Sequence, residues 1–227
     1  MTSNLNDLKF IIYNSSSQAM RHSKSSKQWL NEHFKDTYVK RAQKEGLRAR
    51  SAYKLKEIND KYQLLKPGMI ILDLGAAPGS WSEIAAKLIG KTGKIVAVDI
   101  LPIKPIDNVK IIQGDFTQTA TQNNVLAELK GNLADVVLSD IAPNTSGIGS
   151  IDHDLSINLV KTVYNFAIKI LKSQGVLLVK VFQGKSLQEM IESLQNNFAL
   201  VKIIKPTASR ARSREIFLLA KELKKGG

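Results

Sequence analysis

The stretch that most narrows what this chain can become is residues 69–82, MIILDLGAAPGSWS. An apolar, β-branched run over 69–72 stops at Asp73, turns through Gly75-Ala-Ala-Pro-Gly79 and enters an amphipathic segment over 81–89. That order reads as strand, glycine turn, helix. With no Cβ at positions 75 and 79, the backbone can approach a ligand closely, and the first turn of the helix offers N–H groups that no helical carbonyl accepts. In an open α/β sheet such a turn lies above the carboxyl end of its strand, where ligands bind.

What the turn lacks selects the ligand. A phosphate-cradling P-loop needs a Gly-Lys-Ser/Thr end, a dinucleotide fingerprint needs G-x-G-x-x-G, and residues 75–79 supply neither, which argues against a pyrophosphate. Twenty residues after Gly79, the run over 95–98 ends in Asp99, placed to accept hydrogen bonds from a ribose diol. A third apolar run, 109–112, precedes Gly114-Asp115-Phe116, a carboxylate and an aromatic ring suited to an amino-substituted base. A nucleoside without phosphate, with an acidic residue at the first strand end, points to S-adenosylmethionine. The competing reading of such a turn is tight packing alone.

At 227 residues and 43% hydrophobic content, the chain suits one α/β domain with a sizeable core. The absence of cysteine excludes disulfides and thiolate metal sites, and three scattered histidines give no ligand spacing, so no metal is expected. No apolar run reaches the roughly 18 residues of a membrane span, and residues 10–13 are too short for a signal-peptide core. A cytoplasmic location is the expectation. Residues 1–66 hold 14 Lys+Arg against 6 Asp+Glu, residues 67–199 hold 11 against 12, and residues 200–227 hold 8 against 2. A near-neutral core flanked by two basic ends predicts a surface for a polyanion, RNA or DNA.

Along the chain, residues 1–26 read as a disordered, Ser-rich basic tail. Residues 27–66 read as a helical module, with Trp29, Leu30 and Phe34 on one face, a segment over 39–44 stopped by Gly46, and a second helix over 51–62 carrying Lys54. Residues 67–227 form the cofactor-binding domain, one structural unit with that module. After a polar stretch over 117–124, a short helix is expected at 125–129, then a strand over 134–138 ending in Ser139-Asp140-Ile141-Ala142-Pro143. A long helix over 155–171 leads to a strand over 176–182 with Lys180 inside it, where a lysine needs a partner or a role. A helix over 187–196 precedes strands over 200–204 and 215–220. No helix separates these last two, so one strand must run antiparallel in an otherwise parallel sheet. The fold expected is a Rossmann-like, seven-stranded α/β sheet with helices on both faces. The linking loop carries Arg210, Arg212 and Arg214, whose guanidinium forks match phosphate oxygens, followed directly by Glu215.

Lys54, Asp140, Lys180 and Glu215 are the charged residues that this topology could gather. Together with the segments SKQWLNEHF, GLRARSAYKL, LKPGMIILDLGAAPGSWS, QGDF, SDIAPNTSG, VLLVKVFQG and KPTASRARSREIFLLA, they make the chain resemble the FtsJ/RrmJ-type ribose 2′-O-methyltransferases over roughly residues 27–221. The resemblance implies a class I S-adenosylmethionine-dependent methyltransferase. It places the family's Lys-Asp-Lys-Glu tetrad on Lys54, Asp140, Lys180 and Glu215, and its cofactor positions on Gly79, Trp81, Asp99, Asp115 and Asp140. It further implies a monomer acting on a uridine in the A-loop of 23S ribosomal RNA within the large ribosomal subunit.

Methyl transfer to a ribose hydroxyl is an in-line displacement in which one proton must be removed. The residues suggest Lys180 as base, Asp140 orienting it, and Lys54 with Glu215 aligning the hydroxyl. Burial, a sulfonium charge and Lys54 favour a neutral Lys180 amine, whereas Asp140 and Glu215 favour the ammonium; the sequence leaves that balance open. RNA contacts are expected through Arg48, Arg50, Lys54, Arg210, Arg212 and Arg214. Two rival readings are the same chemistry on a transfer-RNA anticodon loop or an mRNA cap ribose, and a non-catalytic RNA-binding or ribosome-assembly protein.

Overall fold

The computed structural model describes residues 36–143, 149–210 and 212–224. The expected tail over 1–26 and the face formed by Trp29, Leu30 and Phe34 lie outside them. Helix α1 (Thr37–Lys44), which enters the unit Tyr38–Gly227 at its second residue, and α2 (Ala52–Tyr62) precede the first strand. There follow β1 (Ile70–Leu74), α3 (Ser80–Ile89), β2 (Lys94–Asp99), β3 (Val109–Gln113), α4 (Thr119–Leu129) and β4 (Ala134–Ser139). The remainder is α5 (Gly149–Ile170), β5 (Leu171–Phe182), α6 (Leu187–Asn197), β6 (Phe198–Ile204) and β7 (Glu215–Leu223). One sheet holds all seven strands in the order β3-β2-β1-β4-β5-β7-β6. β1 pairs in parallel with β2 and β4, and β7 runs antiparallel to both β5 and β6, so β7 is the reversed strand that the missing helix required. The chain leaves β1 toward β2 on one side and returns to β4 on the other, which makes the β1/β4 carboxyl ends the switch point of the sheet.

Alternation along the strands sorts the core into two layers. Leu72, Leu74, Val96, Val98, Leu177, Val179 and Val181 pack with Val125 and Leu129 of α4, Val160 and Val163 of α5, and Met190 and Leu194 of α6. Ile71, Ile95, Val136, Leu138, Leu178, Phe217 and Leu219 face the other way, onto Leu55 and Ile58 of α2 and Trp81, Ala85 and Ile89 of α3. A one-residue slip of any strand would exchange its two faces, so burial on both sides fixes the register.

Three local expectations are corrected. The first strand does not stop at Asp73 but runs to Leu74, and Asp73 is fully buried within it, satisfied in part by the Ser82 hydroxyl. The polar stretch is helical from Thr119, because Thr121, Val125 and Leu129, four residues apart, supply one narrow buried stripe. β5 begins at Leu171, which pairs with Ala134 before an irregularity in the β4–β5 register; Gln174 adopts a φ of 65° there.

Candidate active site

Strand parity assembles the charged cluster. In β4, Val136 and Leu138 point toward α2, and Asp140, two residues on, continues the series; its N–H donates to Leu74 O at 3.2 Å. In β5 the same series is Val176, Leu178, Lys180, and in β7 it is Glu215, Phe217, Leu219, with Lys180 opposite Phe217 in the antiparallel register. Lys54 comes from α2 on that face, between buried Tyr53 and Leu55. Its Nζ lies 2.6 Å from Glu215 Oε1 and 5.7 Å from the centre of the Phe217 ring. Lys180 is buried; its Nζ donates to Asp140 O at 2.5 Å and lies 3.0 Å from Asp140 Oδ1, which receives no well-directed hydrogen bond. Two Lys–carboxylate pairs thus flank one buried phenyl ring beside the switch point.

The glycine turn sits next to them. The N–H groups of Gly75 and Ala76 donate to Val98 O at 2.9 and 3.1 Å, which folds the turn back over β2. Gly75 has a φ of +72°, and a Cβ on it would lie 2.6 Å from the Cα of Ile141, the residue after Asp140. Asp99 accepts from Ala77 N at 2.8 Å with Oδ2 and from Leu101 N at 2.8 Å with Oδ1, so it braces the turn while each oxygen keeps a second lone pair for a ligand hydroxyl. Asp115 accepts from Thr117 N and Oγ1 at 2.8 and 2.7 Å, hydrogen bonds that hold its pKa below the usual range and keep it ionised.

Two aromatic expectations change. Phe116 is buried edge-on against Phe166, ring centres 5.2 Å apart, so Asp115 alone of that pair faces outward. The Trp81 side chain is also buried: its Nε1 donates to Ser51 O at 2.9 Å and its ring packs 5.6 Å from that of Phe217. Trp81 therefore ties α3 to α2, and what it presents above the strands is main chain in the first turn of α3, where the Gly79 N-cap supplies no side-chain acceptor.

The sequence reading used Asp73, as the acidic residue at the first strand end, to point to S-adenosylmethionine without naming it among the cofactor-binding residues; the structure places it inside β1. Burial pushes its pKa up to about 7, opposed by the Ser82 hydroxyl and reinforced by the Asp140 and Asp99 carboxylates. Asp73 Oδ1 and Ser80 Oγ are buried without a hydrogen-bond partner among the described residues, and Asp140 Oδ1 has only its ion pair with Lys180. Orphaned acceptors, three carboxylates and a glycine-walled turn suit a cationic nucleoside, and the residues present fit S-adenosylmethionine. Among the described residues no group of three or more His, Asp or Glu side chains is arranged to hold a metal ion.

The arginines divide. Arg48 donates to the carbonyls of Pro78, Lys104 and Pro105 at 3.1, 3.0 and 2.8 Å, so it fastens the cofactor turn to the loop after β2. Arg50 donates to Ala208 O and lies 5.7 Å from the centre of the Tyr38 ring; burial, and then the Arg210 charge, lower its pKa. Arg214 donates to Gln183 O at 2.5 Å from an exposed position, and Arg212 is exposed.

Comparison with known proteins adds the following. The sequence pattern described as FtsJ-like methyltransferase matches residues 47–223. Ribosomal RNA large subunit methyltransferase E of Stutzerimonas stutzeri (strain A1501) is 48% identical over 205 residues, 90% of this chain and 100% of the relative. The protein of the same name from Acinetobacter baumannii (strain ATCC 17978) is 50% identical over 203 residues, 89% of this chain and 94% of the relative. A Plasmodium falciparum crystal structure, provisionally assigned as a ribosomal RNA methyltransferase, superposes with a TM-score of 0.70 at 31% identity, covering 78% of this chain and 98% of that one.

Proposed function

The chain belongs to the FtsJ-like methyltransferase family, and from that premise we propose that it methylates the ribose 2′-hydroxyl of a uridine in the A-loop of 23S ribosomal RNA, on the assembled large subunit, with Lys180 as proton acceptor. The observation that carries the chemistry is the pairing of Lys180 with Asp140 and of Lys54 with Glu215 around Phe217, beside the glycine turn. Large-subunit ribosomal RNA as the substrate class is supported by the names of relatives near 50% identity that span about nine-tenths of the chain, and the A-loop uridine and the assembled subunit are the finer parts of the proposal.

S-adenosylmethionine would be held by Gly79, the main chain at Trp81, Asp99, Asp115 and Asp140, and would supply an electrophilic sulfonium methyl for the ribose oxygen. The chain's own residues bring the hydroxyl into line and remove its proton. Lys180 Nζ accepts the proton when neutral, and Asp140, touching that nitrogen through both its carbonyl and its carboxylate, fixes where the acceptor points. Lys54, steadied by Glu215, sits where its donors can hold the ribose oxygen. Near-complete burial of Lys180 keeps water from competing for the methyl group. Arg50 lies within electrostatic reach of Arg210 and Glu215, Arg212 and Arg214 are exposed, and these guanidinium groups suit RNA phosphates, while the 2′-hydroxyl itself selects RNA over DNA.

The test is methyl transfer from labelled S-adenosylmethionine to large subunits, free 23S RNA and bulk transfer RNA from cells lacking the protein. Label on the subunit at a ribose 2′-oxygen supports the proposal. Label confined to transfer RNA keeps the chemistry and overturns the target.

A further inference from the structure

Glu215 is held from two sides, and the Lys54 pair is only one of them. Ser209 Oγ donates to Glu215 Oε1 at 2.9 Å, the same oxygen that Lys54 Nζ approaches to 2.6 Å. Two donors reaching one oxygen from different elements define the carboxylate's orientation, where one flexible lysine alone would let it swing. Ser209 is itself nearly buried, and its N–H donates to Pro206 O at 2.9 Å. The residues before it are fixed from α2: Glu57 accepts the Thr207 N–H with Oε1 at 2.9 Å and Oε2 at 2.8 Å, the Thr207 hydroxyl at 2.7 Å and the Ala208 N–H at 3.3 Å. Arg50 completes the attachment at Ala208 O, and buried Ala208 packs with Ala42 and Tyr53. Lys54 and Glu57 stand three apart on α2 and so share a face. The helix that carries the lysine of the tetrad therefore also carries the clamp that places the loop opposite it.

We infer that Ser209 and Glu57 are positioning residues of the methyl-transfer site: Ser209 sets the orientation of Glu215, and Glu57 holds residues 207–209 where Ser209 can reach it. The same segment continues through Arg210, Arg212 and Arg214, so seating an RNA phosphate on those arginines and aligning Glu215 are coupled through one short piece of chain. This rests on the reading of Glu215 as part of the catalytic cluster. A purely architectural clamp would affect stability and leave turnover by the folded enzyme alone.

The experiment uses the full chain carrying Ser209→Ala, Ser209→Thr or Glu57→Ala. It measures kcat and KM for large subunits, hydrogen exchange at the Thr207 and Ala208 amides, and the Glu215 side chain in a crystal of Ser209→Ala. Losing one hydrogen bond to a charged group should lower kcat about tenfold in Ser209→Ala, with KM little changed, and Ser209→Thr should restore most of it. Glu57→Ala should lower kcat, raise KM and speed exchange at both amides, because it frees the arginines with the serine. In the Ser209→Ala crystal Glu215 should take a new or mixed rotamer. Wild-type kcat together with an unmoved Glu215 in Ser209→Ala would overturn the inference. Should the unsubstituted enzyme leave ribosomal RNA unlabelled, the substrate reading falls, and the Glu215 rotamer and amide exchange still decide this one.

Discussion

Gly75→Ala should damage both fold and cofactor site, by an amount that the geometry allows one to work out. At φ +72° an L side chain is strained by about 1–2 kcal/mol. The added Cβ would stand 2.6 Å from Ile141 Cα and 2.7 Å from Ile141 N. Those are backbone atoms, so no rotamer change relieves the overlap; the segment after β4 must move, and overpacking of this kind costs about 1–3 kcal/mol. The combined loss is roughly 2–5 kcal/mol, which for a chain of this size lowers Tm by about 5–15 °C. Because Ile141 adjoins Asp140, the same shift should weaken cofactor binding. Gly79→Ala is the comparison: its Cβ would meet the side-chain tips of Ile106 and Ile103, which can yield, although its φ of +100° remains strained. Scanning calorimetry and titration with S-adenosylhomocysteine read both effects. A Gly75→Ala protein with unchanged Tm and unchanged affinity would refute the close approach of β1 and β4 at the switch point.

Further outcomes follow from the same geometry. Asp73 retains its proton up to about pH 7 when folded, against 3.8 ordinarily, so between those values the folded state binds more protons and stability falls as pH rises. Asp73→Asn lacks that titration; its stability relative to the unsubstituted chain should grow by up to a few kcal/mol from about pH 4 to 7 and then level off, and equal pH profiles in urea melts would count against a buried, proton-retaining Asp73. Arg48→Ala removes three hydrogen bonds to the cofactor turn and its neighbouring loop, so it should weaken S-adenosylmethionine binding more than RNA binding; a loss confined to RNA would place Arg48 on the RNA surface instead. Replacing Arg212 and Arg214 together by alanine should reduce the slope of log affinity against log salt by about 1.5 in filter-binding assays with ribosomal RNA, roughly 0.7–0.9 for each of two lost phosphate contacts. An unaltered slope would show that these side chains touch no phosphate.

The strands, the one reversed strand and the strand positions of Asp140, Lys180 and Glu215 were legible in the sequence because they depend on period-two alternation and on where apolar runs end, whereas the order of the strands in the sheet was not. Asp140, Lys180 and Glu215 each stand two or four residues from buried neighbours on the α2 side, so placing the strands places the charges. Asp73 was misread as a strand terminator: a carboxylate usually ends an apolar run, and only the Ser82 contact across the turn explains its burial. The first half of α4 was hidden because Thr121 is the sole buried residue among its polar neighbours, too narrow a stripe to give a helical period. Glu57 and Ser209 were invisible for a different reason. Their partners lie 150 residues away for Glu57 with Thr207, and across a loop for Ser209 with Glu215, separations that no local pattern encodes. Trp81 and Arg48 stand where a ligand contact was expected, yet their side chains bind Ser51 and three loop carbonyls. A family resemblance, for Trp81, and a basic residue type, for Arg48, mark such residues as functional without distinguishing a group that touches ligand from one that shapes the site.

The role proposed for Lys180 is to take the proton of a ribose 2′-hydroxyl. The direct measurement is single-turnover methyl transfer to large subunits by the unsubstituted protein and by Lys180→Ala, with the modified position mapped and S-adenosylhomocysteine affinity measured alongside. Loss of a general base should slow the chemical step by roughly a hundred- to ten-thousandfold while cofactor affinity stays near normal. A Lys180→Ala protein that still methylates the same ribose at close to the original rate, with cofactor binding intact, would show that Lys180 is not the proton acceptor.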